Sequence, residues 1–239
     1  MGILYEDDFL LVAVKGSGML SECSQNVPSF PSLLQKELAL SEIPHPVHRL
    51  DREVSGAMLL AKNSSSMAAC SRMVSEGLIQ KEYIAVTEGL PATECGCLSD
   101  LLLKSSVKNK SFVVDRMRKG VKNACLSFRV LGQAEYESQH FALVSVTPHT
   151  GRTHQIRVQF SSRRLPLTGD RKYGSRSKMP LGLFCRSLVF VHPYTKKQVT
   201  CVAPLPCALP FSLPFENGEE ALVLDGTPPL FTDFRQSDY

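Results

Sequence analysis

One carboxylate, that of Asp51, lies between two arginines, Arg49 and Arg52, shortly before an apolar run at residues 57–61. The apolar run predicts a buried strand, so the fold must hold Asp51 close to the beginning of a strand. The flanking cations favour the ionised form of the carboxyl group. A fixed, charged carboxylate is suited to act as a nucleophile, although this pattern taken alone is more often a structural ion pair.

The length of 239 residues and the hydrophobic share of 43% predict one sizeable core. We expect one compact domain at residues 1–206 and an acidic, Pro-containing tail at residues 207–239, poorly packed or locally docked. The sequence has no apolar run long enough to span a bilayer, and its start is acidic. It therefore predicts neither a membrane span nor a secretory signal.

Eight cysteines are present, and none of them forms a Cys-x-x-Cys pair. In a chain of this length without an export signal, they are predicted to be reduced thiols in a cytoplasmic protein. The closest two, Cys95 and Cys97, have no second ligand pair at zinc spacing. The sequence therefore predicts no metal site.

The formal charge of +4 conceals two regions of opposite sign. Residues 207–239 contain six acids and one base, which leaves a charge of +9 on residues 1–206. Two dense groups of Lys and Arg, at residues 104–122 and 152–178, each contain a single acid. Either group could be an ordinary solvated surface. Two of them together favour a track for a polyanion, since phosphate contacts supply most sequence-independent affinity for nucleic acids.

The remaining pattern predicts many short strands and a few helices. Strands are predicted at residues 3–5, 9–15, 57–61, 81–87, 124–131, 141–147, 183–191 and 198–203, and helices at residues 32–40 and 64–76. Residues 92–123 are predicted to form a β excursion that carries the first basic group, and an acidic loop is expected near residues 132–140. Alternation along residues 81–87 puts Tyr83 on the face opposite Ile84 and Val86.

Three segments carry a family resemblance when they are taken in order. They are His48-Arg49-Leu50-Asp51, Lys81-Glu82-Tyr83-Ile84-Ala85-Val86-Thr87-Glu88-Gly89 and Gly151-Arg152-Thr153-His154-Gln155-Ile156-Arg157-Val158. Together they resemble the RluA-type family of RNA pseudouridine synthases. The resemblance extends to Gly169-Asp170, Tyr173-Gly174, His192-Pro193 and Ala203-Pro204, and it covers residues 3–206.

This resemblance implies an α+β fold, in which a long, bent, mostly antiparallel or mixed β-sheet is flanked by short helices around a central basic cleft. Residues 1–206 would be the catalytic domain, without the small amino-terminal S4-like domain that some relatives carry. Residues 153–160 alone fit either a strand or a helix. The resemblance favours the helix, with Thr153 as its cap and with His154 and Arg157 on one face.

The resemblance further implies that the chain isomerises uridine to pseudouridine in ribosomal or transfer RNA. This reaction involves no redox change and needs no cofactor. The implied catalytic residues are Asp51 as nucleophile, Tyr83 as the wall that retains the detached base, and Arg157 as the cation that keeps Asp51 ionised. The sequence leaves open whether Asp51 attacks C1′, attacks C6 or assists an elimination.

RNA is the expected partner, and the protein is expected to be a monomer that binds no membrane. The target base must leave its stack, and Arg49 is expected either to enter the vacated space or to contact phosphate or Asp51. The expected RNA-binding residues are Arg49, Arg152, His154, Lys15, Lys119, Lys122, Arg163 and Arg164.

Several positions depart from the family pattern. Gly16 replaces the usual proline after Lys15, Gln159 stands where a histidine is common, and Phe184 and Cys185 stand where the family usually has His-Ala. These changes keep open a second interpretation, a catalytically inactive RNA-binding protein of the same fold. A third, an unrelated glycosidase, would require a second carboxylate facing Asp51 across a cleft.

Overall fold

The computed structural model describes residues 2–24 and 27–216, and these contain eleven strands, three α-helices and one short 3-10 helix. The strands are β1 (Ile3–Glu6), β2 (Leu10–Lys15), β3 (His45–Pro46), β4 (Ser55–Ala61), β5 (Gln80–Glu88), β6 (Cys95–Ser105), β7 (Lys110–Val114), β8 (Val121–Tyr136), β9 (Gln139–Pro148), β10 (Leu183–Val191) and β11 (Gln198–Val202). The helices are α1 (Phe30–Glu37), α2 (Ser64–Ser75) and α3 (Gln155–Ser162), and the 3-10 helix is Arg171–Tyr173.

The strands form one mixed sheet in the order β1-β2-β4-β10-β5-β9-β8-β6-β7, with β3 paired to β4 and β11 paired to β10. The pairing of β4 with β10 is parallel, whereas the other strand pairs are antiparallel. The predicted α+β class with a mostly antiparallel, mixed sheet is therefore confirmed.

The parallel pairing of β4 with β10 depends on a close backbone approach at Gly56. Gly56 has a φ of +120°, and a Cβ added there would lie 2.3 Å from the carbonyl oxygen of Cys185. Only glycine tolerates both the backbone conformation and the contact. Cys185 is also the register partner of Tyr83 on β5. The pairing of β4 with β10 therefore brings the beginning of β4 close to Tyr83.

Apolar residues cover both faces of β5. Tyr83 and Ala85 belong to the main core, and Ile84 and Val86 belong to a second cluster on the opposite face. The prediction that Tyr83 lies on the face opposite Ile84 and Val86 is therefore confirmed, but its own face is apolar as well. A central strand that is packed on both faces has no polar side.

The helices differ from prediction mainly at their ends. Helix α1 begins at Phe30, two residues earlier than predicted, because Ser29 caps it in a capping box with Ser32. Helix α2 begins after Asn63, whose side chain accepts the N–H of Ser66, and it agrees with the prediction. Residues 155–162 are helical, as the resemblance favours, but the cap residue is His154 and not Thr153.

The first part of the carboxyl-terminal segment packs on the sheet. Leu213 is buried in the second apolar cluster, and the N–H of Glu216 donates to the carbonyl of Gln133 on β8. The rest of the predicted tail, residues 217–239, lies outside the described residues. In the part of the chain that the structure describes, no helix has the length and apolar character needed to cross a membrane.

Candidate active site

Asp51 lies in the loop between β3 and β4, and hydrogen bonds on both sides fix that loop. The Ser21 hydroxyl donates to the carbonyl of Leu50 at 2.6 Å, and the N–H of Val54 donates to the carbonyl of Asp51 at 3.1 Å. The Asp51 side chain keeps 27% of its surface exposed. The chain therefore presents this carboxylate from a rigid loop while leaving it accessible to a ligand.

A buried arginine, Arg157 of α3, connects two carboxylates. Its Nη1 lies 2.9 Å from Oδ2 of Asp51, while its Nε and Nη2 lie 2.6 and 2.8 Å from the two oxygens of Asp170. Burial disfavours the charged guanidinium, but hydrogen bonds to Asp170 and then Asp51 outweigh it and raise the pKa of Arg157. Arg157 therefore stays charged beside Asp51, and Asp170 fixes the plane of its guanidinium.

The guanidinium beside Asp51 is not one of its sequence neighbours. Arg49 lies 2.9 Å from a carboxylate oxygen of Glu22, and Nε of Arg52 donates to the carbonyl of Gly18. Both arginines are exposed. The prediction that adjacent arginines supply the cation was therefore wrong, since the partner of Asp51 stands 106 residues further along the chain.

His154 completes the surroundings of Asp51. It has a left-handed backbone with a φ of 54°, which turns its ring toward the site at the start of α3. Its Nε2 lies 3.7 Å from Oδ2 of Asp51, and its Nδ1 lies 3.0 Å from the Tyr173 hydroxyl. Burial lowers the pKa of His154, with the charge of Arg157 acting in the same direction and Asp51 opposing it. At neutral pH the ring is therefore mainly uncharged.

Tyr83 lies on β5 and is buried. Its register partner on the neighbouring strand β10 is Cys185. Burial raises the pKa of Tyr83 well above its ordinary value, and the Cys185 thiol and Asp51 act in the same direction. Burial also raises the pKa of Cys185, to about 12. The phenol therefore keeps its proton, and its ring forms an uncharged wall. The wall is close enough to Asp51 for the carboxylate charge to contribute to the raised pKa.

Lys15, which the resemblance places among the RNA-binding residues, is directed into the protein. Its ammonium group donates to the carbonyls of Gly16, Met19 and Arg52 at 3.0 to 3.1 Å, and the residue has no exposed surface. Burial lowers the pKa of Lys15 to about 8, although the charge of Asp51 opposes the shift. Lys15 therefore holds the loop after β2 against the loop that carries Asp51.

The other expected RNA-binding residues lie on the surface or beside α3. Lys119, Lys122 and Arg164 are exposed. Arg163 is bound to Asp100 at 2.9 Å, and Arg152 is half-buried with its Nε donating to the carbonyl of Asn123. The structure thus gathers Asp51, Arg157 and His154 into one contact group. No group of three or more metal-ligating side chains occurs among residues 2–24 and 27–216.

Comparison with known proteins identifies the family. The model of a family described as RNA pseudouridylate synthase matches residues 9–162. The chain belongs to the RluA-type RNA pseudouridine synthases. It is 35% identical over 214 residues to ribosomal large subunit pseudouridine synthase C of Buchnera aphidicola, covering 85% of this chain and 67% of that protein.

Two further relatives also carry names of RNA pseudouridine synthases. The enzyme of the same name from Yersinia pestis is 33% identical over 216 residues, covering 85% of this chain and 65% of that one. An uncharacterized RNA pseudouridine synthase of Aquifex aeolicus is 36% identical over 185 residues, with shares of 74% and 57%. The chain therefore spans 57 to 67% of the length of these three relatives.

A solved structure has the same fold. The protein named Human RNA Pseudouridylate Synthase Domain Containing 1 superposes with a TM-score of 0.77 over 95% of each chain, at 22% sequence identity. The mixed sheet described above is therefore the fold that this chain shares with that domain.

Two residues that contact the group of Asp51, Arg157 and His154 were not predicted as site residues. Asp170 binds Arg157 through both oxygens, and Tyr173 contacts His154. Both belong to flanking pieces of the resemblance, Gly169-Asp170 and Tyr173-Gly174, and that position in the sequence was the available signal. Gly169 has a φ of +73°, and a Cβ there would lie 2.3 Å from the carbonyl oxygen of Met179. The glycine therefore allows the tight turn that directs Asp170 inward.

Proposed function

We propose that this chain isomerises uridine to pseudouridine in structured ribosomal RNA, with Asp51 as the nucleophile. The observation that carries the proposal is the accessible Asp51 carboxylate held by the buried Arg157, which Asp170 holds in turn. The names of the relatives from Buchnera and Yersinia favour ribosomal RNA over transfer RNA as the substrate class.

The reaction rearranges bonds without oxidation or reduction. The bond between C1′ and N1 of the uridine breaks, the base turns within the site, and a bond forms between C5 and C1′. The hydrogen at C5 leaves as a proton and N1 takes up a proton, so the product is an isomer of the substrate. The protein must therefore provide a nucleophile, a charge that keeps the nucleophile ionised, and walls that retain the free base.

The two oxygens of Asp51 have different surroundings. Oδ2 accepts a hydrogen bond from Arg157 and faces His154, whereas Oδ1 has no hydrogen-bond partner within the described part of the chain. The held oxygen fixes the carboxylate, and Oδ1 is the atom available to a substrate. Asp170 has no exposed side-chain surface, so it holds Arg157 without competing for the substrate.

Tyr83 supports the proposal as the wall of the base pocket. A protonated phenol beside Asp51 adds no second negative charge to the site, and an aromatic ring offers a flat apolar surface to a uracil. Cys185, the register partner of Tyr83 on β10, occupies the position where the family usually has alanine. We therefore assign ring packing, and not proton transfer, to Tyr83.

The exposed cations are proposed to bind the RNA backbone. The charged groups of Lys119, Lys122 and Arg164 are exposed to solvent, whereas that of Arg163 forms an ion pair with Asp100. Arg49 is proposed to enter the space vacated by the flipped base, which requires it to leave Glu22. An exposed ion pair of this kind contributes only about 0.2–1 kcal/mol, so RNA can displace it.

We further propose that the protein acts in the cytoplasm as a monomer.

The test is tritium release to water from ribosomal RNA transcripts that carry [5-³H]uridine, with transfer RNA transcripts offered in parallel. Asp51→Asn should abolish release and leave RNA affinity within a few-fold of wild type, because it removes a charge without removing volume. Asp100→Asn is the matched control, since it also removes a carboxylate bound to an arginine at 2.9 Å. It should retain most of the activity.

Three results would contradict the proposal. An Asp51→Asn variant that keeps more than a tenth of the wild-type rate would exclude Asp51 as the nucleophile. Release from transfer RNA alone would overturn the assigned substrate class. Tight binding of both transcript classes without any release by wild type would favour the inactive RNA-binding protein of the same fold.

A further inference from the structure

The hydroxyl of Tyr173 connects a surface hairpin with the catalytic group. Tyr173 ends the 3-10 helix and is 4% exposed. Its oxygen lies 2.9 Å from the N of Ser111, 3.3 Å from the O of Ser111 and 3.0 Å from Nδ1 of His154. Ser111 belongs to β7, which forms a hairpin with β6, and its hydroxyl donates to the carbonyl of Thr153 at 2.6 Å.

The hydrogens available to these atoms determine the tautomer of His154. The N–H of Ser111 can only donate, so the phenol oxygen accepts there. The single phenolic hydrogen then goes to Nδ1 of His154 at 3.0 Å or to the Ser111 carbonyl at 3.3 Å, and the shorter distance favours Nδ1. With Nδ1 as an acceptor, a neutral ring carries its hydrogen on Nε2.

The opposite tautomer is disfavoured on the other side of the ring. Nε2 lies 3.7 Å from Oδ2 of Asp51. A bare Nε2 would face the carboxylate with its lone pair, whereas an Nε2–H presents positive charge to it. At this distance the contact is electrostatic and longer than a hydrogen bond.

We propose that Tyr173 is a positioning residue that holds His154 in the Nε2–H tautomer, directed at Asp51. His154 and Arg157 then hold Oδ2 of Asp51 from two directions and leave Oδ1 to the substrate. The catalytic consequence rests on the proposed function, but the tautomer does not. Ser111 anchors Tyr173 from the β6–β7 hairpin, so the hairpin supports the geometry of the site.

The charged groups around this pair are compatible with the assignment. Arg157 lies 5.3 Å from the Tyr173 ring centroid and the Lys110 ammonium 4.6 Å, while the charges of Lys172 and Arg157 disfavour a protonated His154. Asp51 and Asp170 act in the opposite direction, and burial of the ring disfavours its charged form most strongly. Because burial and the two cations outweigh the two carboxylates, the pKa of His154 is lowered and a neutral ring between Tyr173 and Asp51 is favoured.

The test reads the tautomer directly. Protein labelled with ¹⁵N in its histidines is examined by long-range ¹H–¹⁵N NMR at neutral pH, and a His154→Gln sample assigns the ring among the six histidines. Tyr173→Phe removes the hydroxyl and keeps the ring beside Arg157. Tyr5→Phe is the matched control, because Tyr5 also donates to a side chain, at 2.6 Å to Asp7, and each phenol has a pKa raised to about 12.

We expect wild type and Tyr5→Phe to show Nε2–H at His154, and Tyr173→Phe to show a mixture of tautomers. In tritium release, Tyr173→Phe should lower kcat about three- to tenfold, as expected for one hydrogen bond, with RNA affinity changed less than twofold. An Nδ1–H tautomer in wild type, an unchanged tautomer in Tyr173→Phe, or an unchanged kcat would overturn the inference. Absence of release by wild type would contradict the proposed function instead and would leave the tautomer result standing.

Discussion

At the scale of single residues, burial changes the role of charged side chains, and Lys15 shows this most directly. Its ammonium group has no exposed surface and donates to three backbone carbonyls. Burial lowers its pKa from 10.5 to about 8, so the folded protein binds this proton more weakly than the unfolded chain does. Protonation of Lys15 therefore favours unfolding.

The sign of this effect gives a pH dependence of stability. The cost of charging Lys15 is fully present below about pH 8 and is relieved as the pH rises toward its unfolded pKa near 10.5. We expect the stability difference between wild type and Lys15→Met to shift in favour of wild type by up to about 3 kcal/mol over that range. Urea unfolding at several pH values measures it, and groups that titrate in both proteins cancel. A pH-independent difference would show that the pKa of Lys15 is unshifted.

The residues of the site differ in how far the sequence could predict them. Asp51, Tyr83 and Arg157 each stand in a motif, and the resemblance identifies them. The partner of Asp51 could not be found locally, because Arg49 and Arg52 are its neighbours in sequence whereas Arg157 is its neighbour in space. The role of Asp170 is likewise set by the turn at Gly169, whose contacts with residues 179 and 180 no local pattern shows.

At the scale of elements, the parallel pairing of β4 with β10 determines whether the site is assembled. Gly56→Ala would place a methyl group 2.3 Å from the carbonyl oxygen of Cys185 while the backbone requires a φ of +120°. We expect a loss of stability of more than about 3 kcal/mol, from backbone strain and overpacking together. Turnover should fall as well, although no catalytic group is altered. Urea unfolding and tritium release measure the two effects.

Gly77→Ala is the control for this substitution. Gly77 also has a positive φ, of +67°, but an added Cβ would meet no atom within 4 Å. Its replacement should therefore cost only the backbone strain, about 1 kcal/mol, and leave turnover unchanged. Equal losses for Gly56→Ala and Gly77→Ala would show that the approach of β4 to β10 contributes nothing of its own.

Strands were easier to predict than their pairing. The sequence predicts β5 and β10 to within one residue at each end, because each strand contains a stretch of buried apolar residues. The predicted acidic loop between β8 and β9 was wrong, since both strands continue to a tight turn at Glu137 and Ser138, which have φ values of 51° and 58°. The backbone pairing of a polar, exposed hairpin end leaves no apolar pattern in the sequence.

At the scale of the whole molecule, charge is distributed unevenly along the chain. Residues 1–206 carry +9 and residues 207–239 carry −5. Much of the positive charge near the site is already paired, since Arg157 is bound to Asp51 and Asp170, and Arg163 is bound to Asp100. The charge available to an RNA backbone is therefore smaller than the sequence total, and it lies on exposed cations such as Lys119 and Lys122.

This distinction predicts how RNA affinity depends on salt. Each phosphate contact releases counterions, so the slope of log K against log salt measures the number of contacts. Replacing Lys119 and Lys122 together by Gln should reduce the magnitude of that slope by roughly 1.4–1.8.

Arg163→Gln is the control. It also removes a positive charge, but one that Asp100 already neutralises, and it should change the slope less than half as much as either lysine. Fluorescence anisotropy with a labelled ribosomal RNA fragment over a range of KCl concentrations measures the slopes. Equal changes per charge at all three positions would mean that RNA senses only the net charge of the molecule and that the pairing of Arg163 has no effect on binding.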